Sequence, residues 1–335
     1  MSGATGVTAV DCLRLGTRGS ALAIAQSRQI ADRVERLSGL RVELVPVTTQ
    51  GDTDRRSFAE LGGTGLFVAA LREALLAGDC DFIVHSLKDL PTVVHEELVL
   101  ASIPKRVDPR DVICGRDGRG LDLLPPGATV GTGSPRRIAQ VRAVRPDLCV
   151  IEVRGNIDTR LGYLTSGRCD AVVLAAAGLE RLGRLDAVTD YCDLARWPTA
   201  AGQGALAVEV VQSTGASPRP SRLRKLNEAL ARLDHAATRA TVSAERWVLA
   251  GLEAGCQAPL GVTAFLEDGL LFLSATVYSS DGAQRITSSH AATSTSSSIA
   301  DLLDAARDSA HRVIAELLGS GAAELACAVS AHREE

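Results

Sequence analysis

The chain has 335 residues, 46% of them hydrophobic and 23% charged, with a formal net charge of -4. That length exceeds one ordinary core and provides for two or three domains, and the composition is that of a globular chain and not a disordered one. The net negative charge argues against non-specific polyanion binding, and 3% aromatic residues leave few stacking platforms, so no nucleic-acid partner is expected.

Residues up to about Val10 read as a disordered tail. Leu13–Gly16 reads as a short strand, and Ser20 caps a helix running through Leu37 with Leu22, Ala25, Ile30, Val34 and Leu37 on one face. Arg41–Val47 alternates as a strand. Leu66–Leu76 reads as a helix ending near Gly78, and Phe82–Val84 as a short buried strand. This alternation implies a parallel or mixed α/β sheet. A second unit starts near Asp108 and repeats the logic: strand Thr129–Gly131, a helix opened by Ser134-Pro135, strand Cys149–Val153, helix Asp158–Ser166 and strand Ala171–Leu174. Ala205–Val211 is a further strand, followed by the linker 213–218. The third unit differs: helix from Asp234 or His235 to Ala250, strand Leu270–Tyr278, a further strand at Gln284–His290, a serine- and threonine-rich loop over 288–298, and an amphipathic helix Ile299–Leu318. No internal repeat at solenoid spacing is visible.

The cysteines at 12, 80, 114, 149, 169, 192, 256 and 327 include no Cys-x-x-Cys and no histidine partners at zinc spacing, so no metal is expected. Neither a secretory signal nor an apolar run of membrane-spanning length is visible; a cytoplasmic chain with free thiols and no membrane partner is the expectation.

Basic residues recur where strands run into helices. Thr17-Arg18-Gly19-Ser20 lies at the first such junction, Gly131-Thr132-Gly133-Ser134-Pro135-Arg136-Arg137 at another, and Arg154-Gly155-Asn156 at a third, with Arg160 a turn and a half later and Arg181 beyond the strand Ala171–Leu174. Helix N-termini bind anions through free N–H groups, and arginine grips carboxylates with two parallel hydrogen bonds. Two arginines at a helix N-terminus are unfavourable for the helix itself, which points to another role. His85-Ser86-Leu87-Lys88-Asp89-Leu90-Pro91 follows a strand, where open α/β sheets bind ligands. Cys256 stands in the turn Gly255-Cys256-Gln257-Ala258-Pro259, where an accessible thiol can act as a nucleophile. The set fits a ligand with many carboxylates.

These stretches, with Gly65-Leu66-Phe67-Val68, Asp108-Pro109-Arg110-Asp111, Ala177-Gly178-Leu179-Glu180-Arg181-Leu182 and Gly202-Gln203-Gly204, occur in the order and with the gaps of one family. Over essentially its whole length the chain resembles the hydroxymethylbilane synthases, also called porphobilinogen deaminases. The resemblance implies an α/β fold of three domains: two periplasmic-binding-protein-like lobes with mixed sheets (11–104 with 205–222, and 105–204) and a C-terminal α+β domain (223–335). The second lobe would be inserted in the first, bringing Ala205–Val211 back to the first sheet.

The resemblance also implies a transferase that joins four porphobilinogen molecules head to tail with release of ammonia, on a dipyrromethane cofactor held by a thioether to Cys256. Asp89 would be the catalytic carboxylate, which also touches the cofactor. Ser86, Lys88, Thr132, Ser134, Arg136, Arg137, Arg154, Gly155 and Arg160 would bind the cofactor. Arg18, Ser20, Phe67, Arg154, Arg160, Arg181 and Gln203 would bind substrate. A monomer that hands its product to the next tetrapyrrole enzyme is implied as well. The chain departs from the family at Glu60 and Thr64, where lysines are common, and at Gly133, where a serine is usual. A non-catalytic two-lobed protein capturing an anionic small molecule is the alternative; it leaves Cys256, Asp89 and the third domain without a purpose. A redox sensor or scaffold built on Cys256 leaves the arginines without one.

Overall fold

The computed structural model describes residues 12–47, 65–213, 220–252 and 259–327. The chain divides into two compact units, one of residues 1–106 and 205–235, the other of residues 107–204 and 236–335.

The first unit is a five-stranded mixed sheet with helices on both faces. Strands β1 (Cys12–Thr17), β2 (Arg41–Pro46) and β3 (Phe82–Ser86) are parallel in the order β2-β1-β3. They alternate with α1 (Ala21–Ser38) and α2 (Gly65–Leu76). Helix α1 starts where Ser20 accepts the Ala23 N–H and ends at Gly39, whose φ is 70°. The sheet continues through a strand that follows the second lobe in the chain, Leu206–Val211, antiparallel to both β3 and β4 (Leu98–Ser102). The expected return of this segment to the first sheet is thus observed. Leu13, Leu15, Ile30, Val34, Phe82, Leu206 and Val208 form one core; Leu71, Leu75, Ile83 and Leu98 form another.

Helix Ser221–Leu233 buries Leu226, Ala229 and Leu230 in the first of these cores and packs on α1 and β4. The first unit therefore runs to His235, and the expected boundary at 222/223 falls inside a helix that belongs to it. The reason is apolar matching over a long sequence separation, which local patterning does not reveal.

In the second unit β5 (Asp111–Gly115), β6 (Thr129–Gly131), β7 (Cys149–Ile151), β8 (Ala171–Ala175) and β9 (Asp190–Tyr191) form a sheet in the order β7-β6-β8-β5-β9. Strands β7, β6 and β8 are parallel, and β5 is antiparallel to both β8 and β9. Strand directions match those of the first sheet, and the likeness extends to single atoms. Asp81 and Asp170, each in a Cys-Asp pair at the start of a central strand, accept the N–H of Arg14 at 2.9 Å and of Thr129 at 2.8 Å. Each returns its own N–H to the carbonyl of the same residue at 2.8 Å. A Cβ on Gly16 or on Gly131 would lie 2.8 Å from the sulfur of the cysteine before that aspartate, Cys80 or Cys169.

Counting the returning strand as β10 and Ser221–Leu233 as α6, the second unit also carries α3 (Pro135–Val144), α4 (Ile157–Thr165), α5 (Ala176–Arg181) and α7 (Ala236–Gly251), then the antiparallel sheet β11 (Leu260–Glu267), β12 (Leu270–Tyr278), β13 (Arg285–Thr293), and finally α8 (Ile299–Gly319) and α9 (Ala322–Cys327). Alanines 240, 244, 306 and 310 are fully buried where α7 and α8 pack together on this sheet. The strand expected over Gln284–His290 runs on to Thr293 at the sheet edge, so residues 291–293, expected only as loop, are strand. Ser289, Ala291 and Thr293 are exposed while Ser288 and Ala292 are buried, a period of two that the serine and threonine content hides. Strands β4, β5, β9 and β11 and helices α5, α6 and α9 were not expected. The third sheet is tied to the second lobe by Val262 N–H to Thr199 O at 2.7 Å and by Arg142 to Ser280 O at 3.0 Å. Buried Glu245 adds a third tie, accepting the N–H groups of Gly202 at 2.7 Å and Ala264 at 2.9 Å. Among the described residues no helix is long and apolar enough to cross a membrane.

Candidate active site

In the first unit the carboxyl ends of the neighbouring parallel strands β1 and β3 carry the expected polar residues. Thr17 ends β1; Arg18, half-buried, leads into Ser20, which is spent in part as the α1 cap. Ser86 ends β3, and Leu87–Asp89 forms a single 3-10 turn with Leu87 fully buried. Burying Leu87 leaves Ser86, Lys88 and Asp89 half-exposed around it. Behind this turn lies a buried ion cluster that sequence reasoning missed. Glu209 of β10 takes two hydrogen bonds from Arg72 of α2, at 3.0 and 2.7 Å, and its Oε2 lies 3.2 Å from His85 Nε2. Burial alone raises the Glu209 carboxyl, but the His85 and Arg72 partners outweigh it and hold it down at about 2.

In the second unit the carboxyl ends of β6 and β7 carry Thr132–Ser134 and Arg154–Asn156, and β8 leads into α5, which ends at Arg181. Thr132 is fully buried and its hydroxyl accepts the Ser134 N–H at 3.3 Å. Ser134 occupies the α3 N-cap position without making a side-chain cap bond. Gly155 has φ 102°, and a Cβ there would meet the Thr159 methyl at 2.7 Å. Arg154 is exposed and paired with Glu152 at 2.7 Å. Arg181 donates to Gly204 O at 2.8 Å.

Arg136 and Arg137, expected at the cofactor, are engaged within the fold. They do not stand as free cations at the helix mouth but are 4% and 5% exposed, bound to Asp111 at 2.7 and 2.6 Å. Asp111, fully buried, also accepts from Trp197 Nε1 at 3.0 Å and Gln203 Nε2 at 2.8 Å. Burial raises the Asp111 carboxyl, and the adjacent charges of Arg136 and Arg137 overcome this and hold it far below the usual carboxylate range. The unfavourable helix-start arginines are thus paid back by a buried carboxylate. The signal was present in Asp108-Pro109-Arg110-Asp111, where an aspartate opens an apolar strand.

Arg160, on α4, differs from these two. Its Nε is buried with no hydrogen-bond partner among the described residues. Burial, helped by the charge of Arg137, pulls its guanidinium below the ordinary value. A buried cationic donor without an acceptor is costly unless a ligand supplies one. This is the property expected of a residue that holds a carboxylate, and it fits a group rich in carboxylates. Phe67 lies in α2, with its side chain outside the described residues; Cys256, Glu60 and Thr64 lie outside them altogether.

Residues 13–217 match the family model described as porphobilinogen deaminase, dipyromethane cofactor binding domain, and residues 239–308 the porphobilinogen deaminase C-terminal domain. The porphobilinogen deaminase of Leifsonia xyli is 59% identical over 314 residues, 94% of either chain. Porphobilinogen deaminase 1 of Streptomyces coelicolor is 51% identical, over 93% of this chain and 97% of its own. A similar solved structure is the periplasmic VFT2 domain of Bordetella pertussis BvgS, 17% identical with TM-score 0.39, covering 70% of this chain and 93% of that one. The chain belongs to the porphobilinogen deaminase family. Members of this family are transferases, and porphobilinogen is their substrate.

Proposed function

We propose that this chain condenses four porphobilinogen molecules head to tail into hydroxymethylbilane, with loss of ammonia at each addition, and that Cys256 anchors the dipyrromethane cofactor. The observation that carries the proposal is Arg160, whose buried Nε lacks an acceptor among the described residues and lies in a dipyrromethane-binding family domain. Each pyrrole of substrate brings an acetate and a propionate, so a carboxylate is the acceptor that such a donor needs.

The bound dipyrromethane supplies the primer pyrrole on which the chain is extended. Cys256 suits its attachment because a thiolate adds readily to a soft electrophilic methylene and the thioether resists hydrolysis. Ser86, Lys88, Thr132, Ser134, Arg154, Gly155 and Arg160 bind its carboxylates, Gly155 through backbone that a side chain would crowd. Arg18, Arg154, Arg160 and Arg181 grip the carboxylates of incoming substrate, with Ser20, Phe67 and Gln203 bordering it. Arg136 and Arg137 serve mainly through Asp111, holding the start of α3 against β5. Asp89 accepts hydrogen bonds from substrate pyrrole N–H and balances the positive charge that develops on that ring as ammonia departs. Its Oδ atoms then take the proton that the attacking pyrrole carbon loses as the new carbon bond forms, and release it to the departing ammonia. The three sheets mark three domains in this reading, the first closing at His235. A cytoplasmic monomer that passes its product to the next tetrapyrrole enzyme completes the proposal, on the strength of the resemblance alone.

Intact-mass measurement of the purified full chain tests it. A covalent dipyrrole adduct is expected, absent in Cys256→Ser and retained in Asp89→Asn. With porphobilinogen, Asp89→Asn should lose roughly 10²–10³ in single-turnover rate, the effect of removing a preorganised charge. An unmodified chain that turns over porphobilinogen, or a change under threefold in Asp89→Asn, refutes the corresponding assignment.

A further inference from the structure

We propose that Gln26 is a positioning residue that aims the Ser86 hydroxyl at the ligand. The inference rests on the reading that Ser86 donates to a ligand carboxylate.

Helix α1 buries one stripe along its length. Ile30, Ala31 and Val34 on that stripe are apolar and lie in the core, but one turn earlier the buried residues are Gln26 and Ser27. Buried polar side chains are the informative exception on such a stripe. Here they meet the carboxyl ends of two neighbouring parallel strands. Gln26, 6% exposed, donates from Nε2 to Ser86 Oγ at 2.9 Å across 60 residues of sequence. Ser27, 1% exposed, donates to Thr17 Oγ1 at 2.8 Å. Consecutive residues of α1 therefore grip the hydroxyls that end β1 and β3.

A serine hydroxyl has one proton and two lone pairs. When an amide N–H occupies a lone pair, the proton must point elsewhere. Ser86 is half-exposed, with Leu87 N–H bound behind it to Ala205 O at 3.0 Å. The proton is thus left for an acceptor on the open side, and a carboxylate is the strongest such acceptor. A glutamate in place of Gln26 has nearly the same shape and the opposite polarity. It accepts the Ser86 proton and turns the lone pairs outward, where they repel a carboxylate.

The test is a double-mutant cycle in the full-length chain with Gln26→Glu, Ser86→Ala and the pair. The readouts are the fraction of protein carrying the covalent adduct by intact mass, KM and kcat for porphobilinogen, and the thermal midpoint. Gln26→Glu should lower adduct fraction or raise KM about tenfold, the scale of one hydrogen bond to a charged group. It should have no further effect when Ser86 is already alanine. Gln26→Met, which removes the donor without reversing it, should do less damage than Gln26→Glu, and it replaces that variant in the cycle should Gln26→Glu fail to fold. Effects of Gln26 and Ser86 substitutions that add refute the positioning role, as does a Gln26→Glu protein that behaves as wild type while Ser86→Ala is impaired. A normal Ser86→Ala protein refutes the underlying role of Ser86 itself, and the inference with it.

Discussion

Arg136 and Arg137 carry opposite consequences for stability and for ligand binding, and only the identity of their partner separates the two. Each is bonded to Asp111, which is fully buried. Removing one member of a buried ion cluster leaves its partners desolvated and poorly paired, at a cost of about 3–5 kcal/mol. Arg136→Leu should therefore lower the urea stability of the protein by that amount even in a Cys256→Ser background, where no cofactor is attached. A cofactor-free protein of unchanged stability would return Arg136 to direct ligand binding. Arg160 makes a contrasting case. Its Nε has no acceptor among the described residues, so losing it costs the fold little of what losing Arg136 costs.

At the level of elements, both five-stranded sheets use the same joint. A glycine in a central strand, Gly16 or Gly131, lies against a cysteine that precedes the next parallel strand. The aspartate after that cysteine ties the two strands together. Gly131→Ala places a methyl 2.8 Å from Cys169 Sγ and 3.0 Å from a Val153 methyl. Overpacking of this kind costs about 1–3 kcal/mol. The urea midpoint should fall accordingly, and Cys169→Ala in the same chain should recover part of it. A Gly131→Ala protein as stable as wild type would mean that β6 and β8 shift apart freely. Strand Thr129–Gly131 leads directly into Thr132–Ser134, so the joint that fixes β6 also fixes the basic loop beyond it.

For the whole molecule, acid sensitivity follows from two buried carboxylates whose basic partners hold them ionised, Glu209 in one unit and Asp111 in the other. Glu209 is held at about 2 in the folded chain, and Asp111 lower still. A carboxylate with a depressed folded value contributes stability that is fully present above its ordinary value, near 4. That contribution is lost as pH falls toward the folded value. Urea stability should hold between pH 7 and about 5 and then fall steeply below about 4. Glu209→Gln should start lower at pH 7 and lose less between about pH 4.5 and 2. A slope identical to wild type over that window would remove Glu209 from the account.

Local patterning made many of the elements and most of the strand-to-helix junctions legible. Ser20 as a cap, Pro135 at a helix start and the 3.6-residue spacing from Leu22 to Leu37 are decided by groups a few positions apart, so they can be read one segment at a time. The ordered motifs likewise placed basic residues at the right strand ends. Tertiary structure alone decided what those residues touch. Asp111 finds Arg136 and Arg137 25 and 26 residues away, Ser86 finds Gln26 at 60, and Glu209 finds Arg72 at 137. It also decided that Ser221–Leu233 joins the first unit and that the last strand runs on through residues 291–293. Periodicity records which way a side chain faces along its own element. It does not record which other element has been brought there, and both burial and ion pairing are set by that second element.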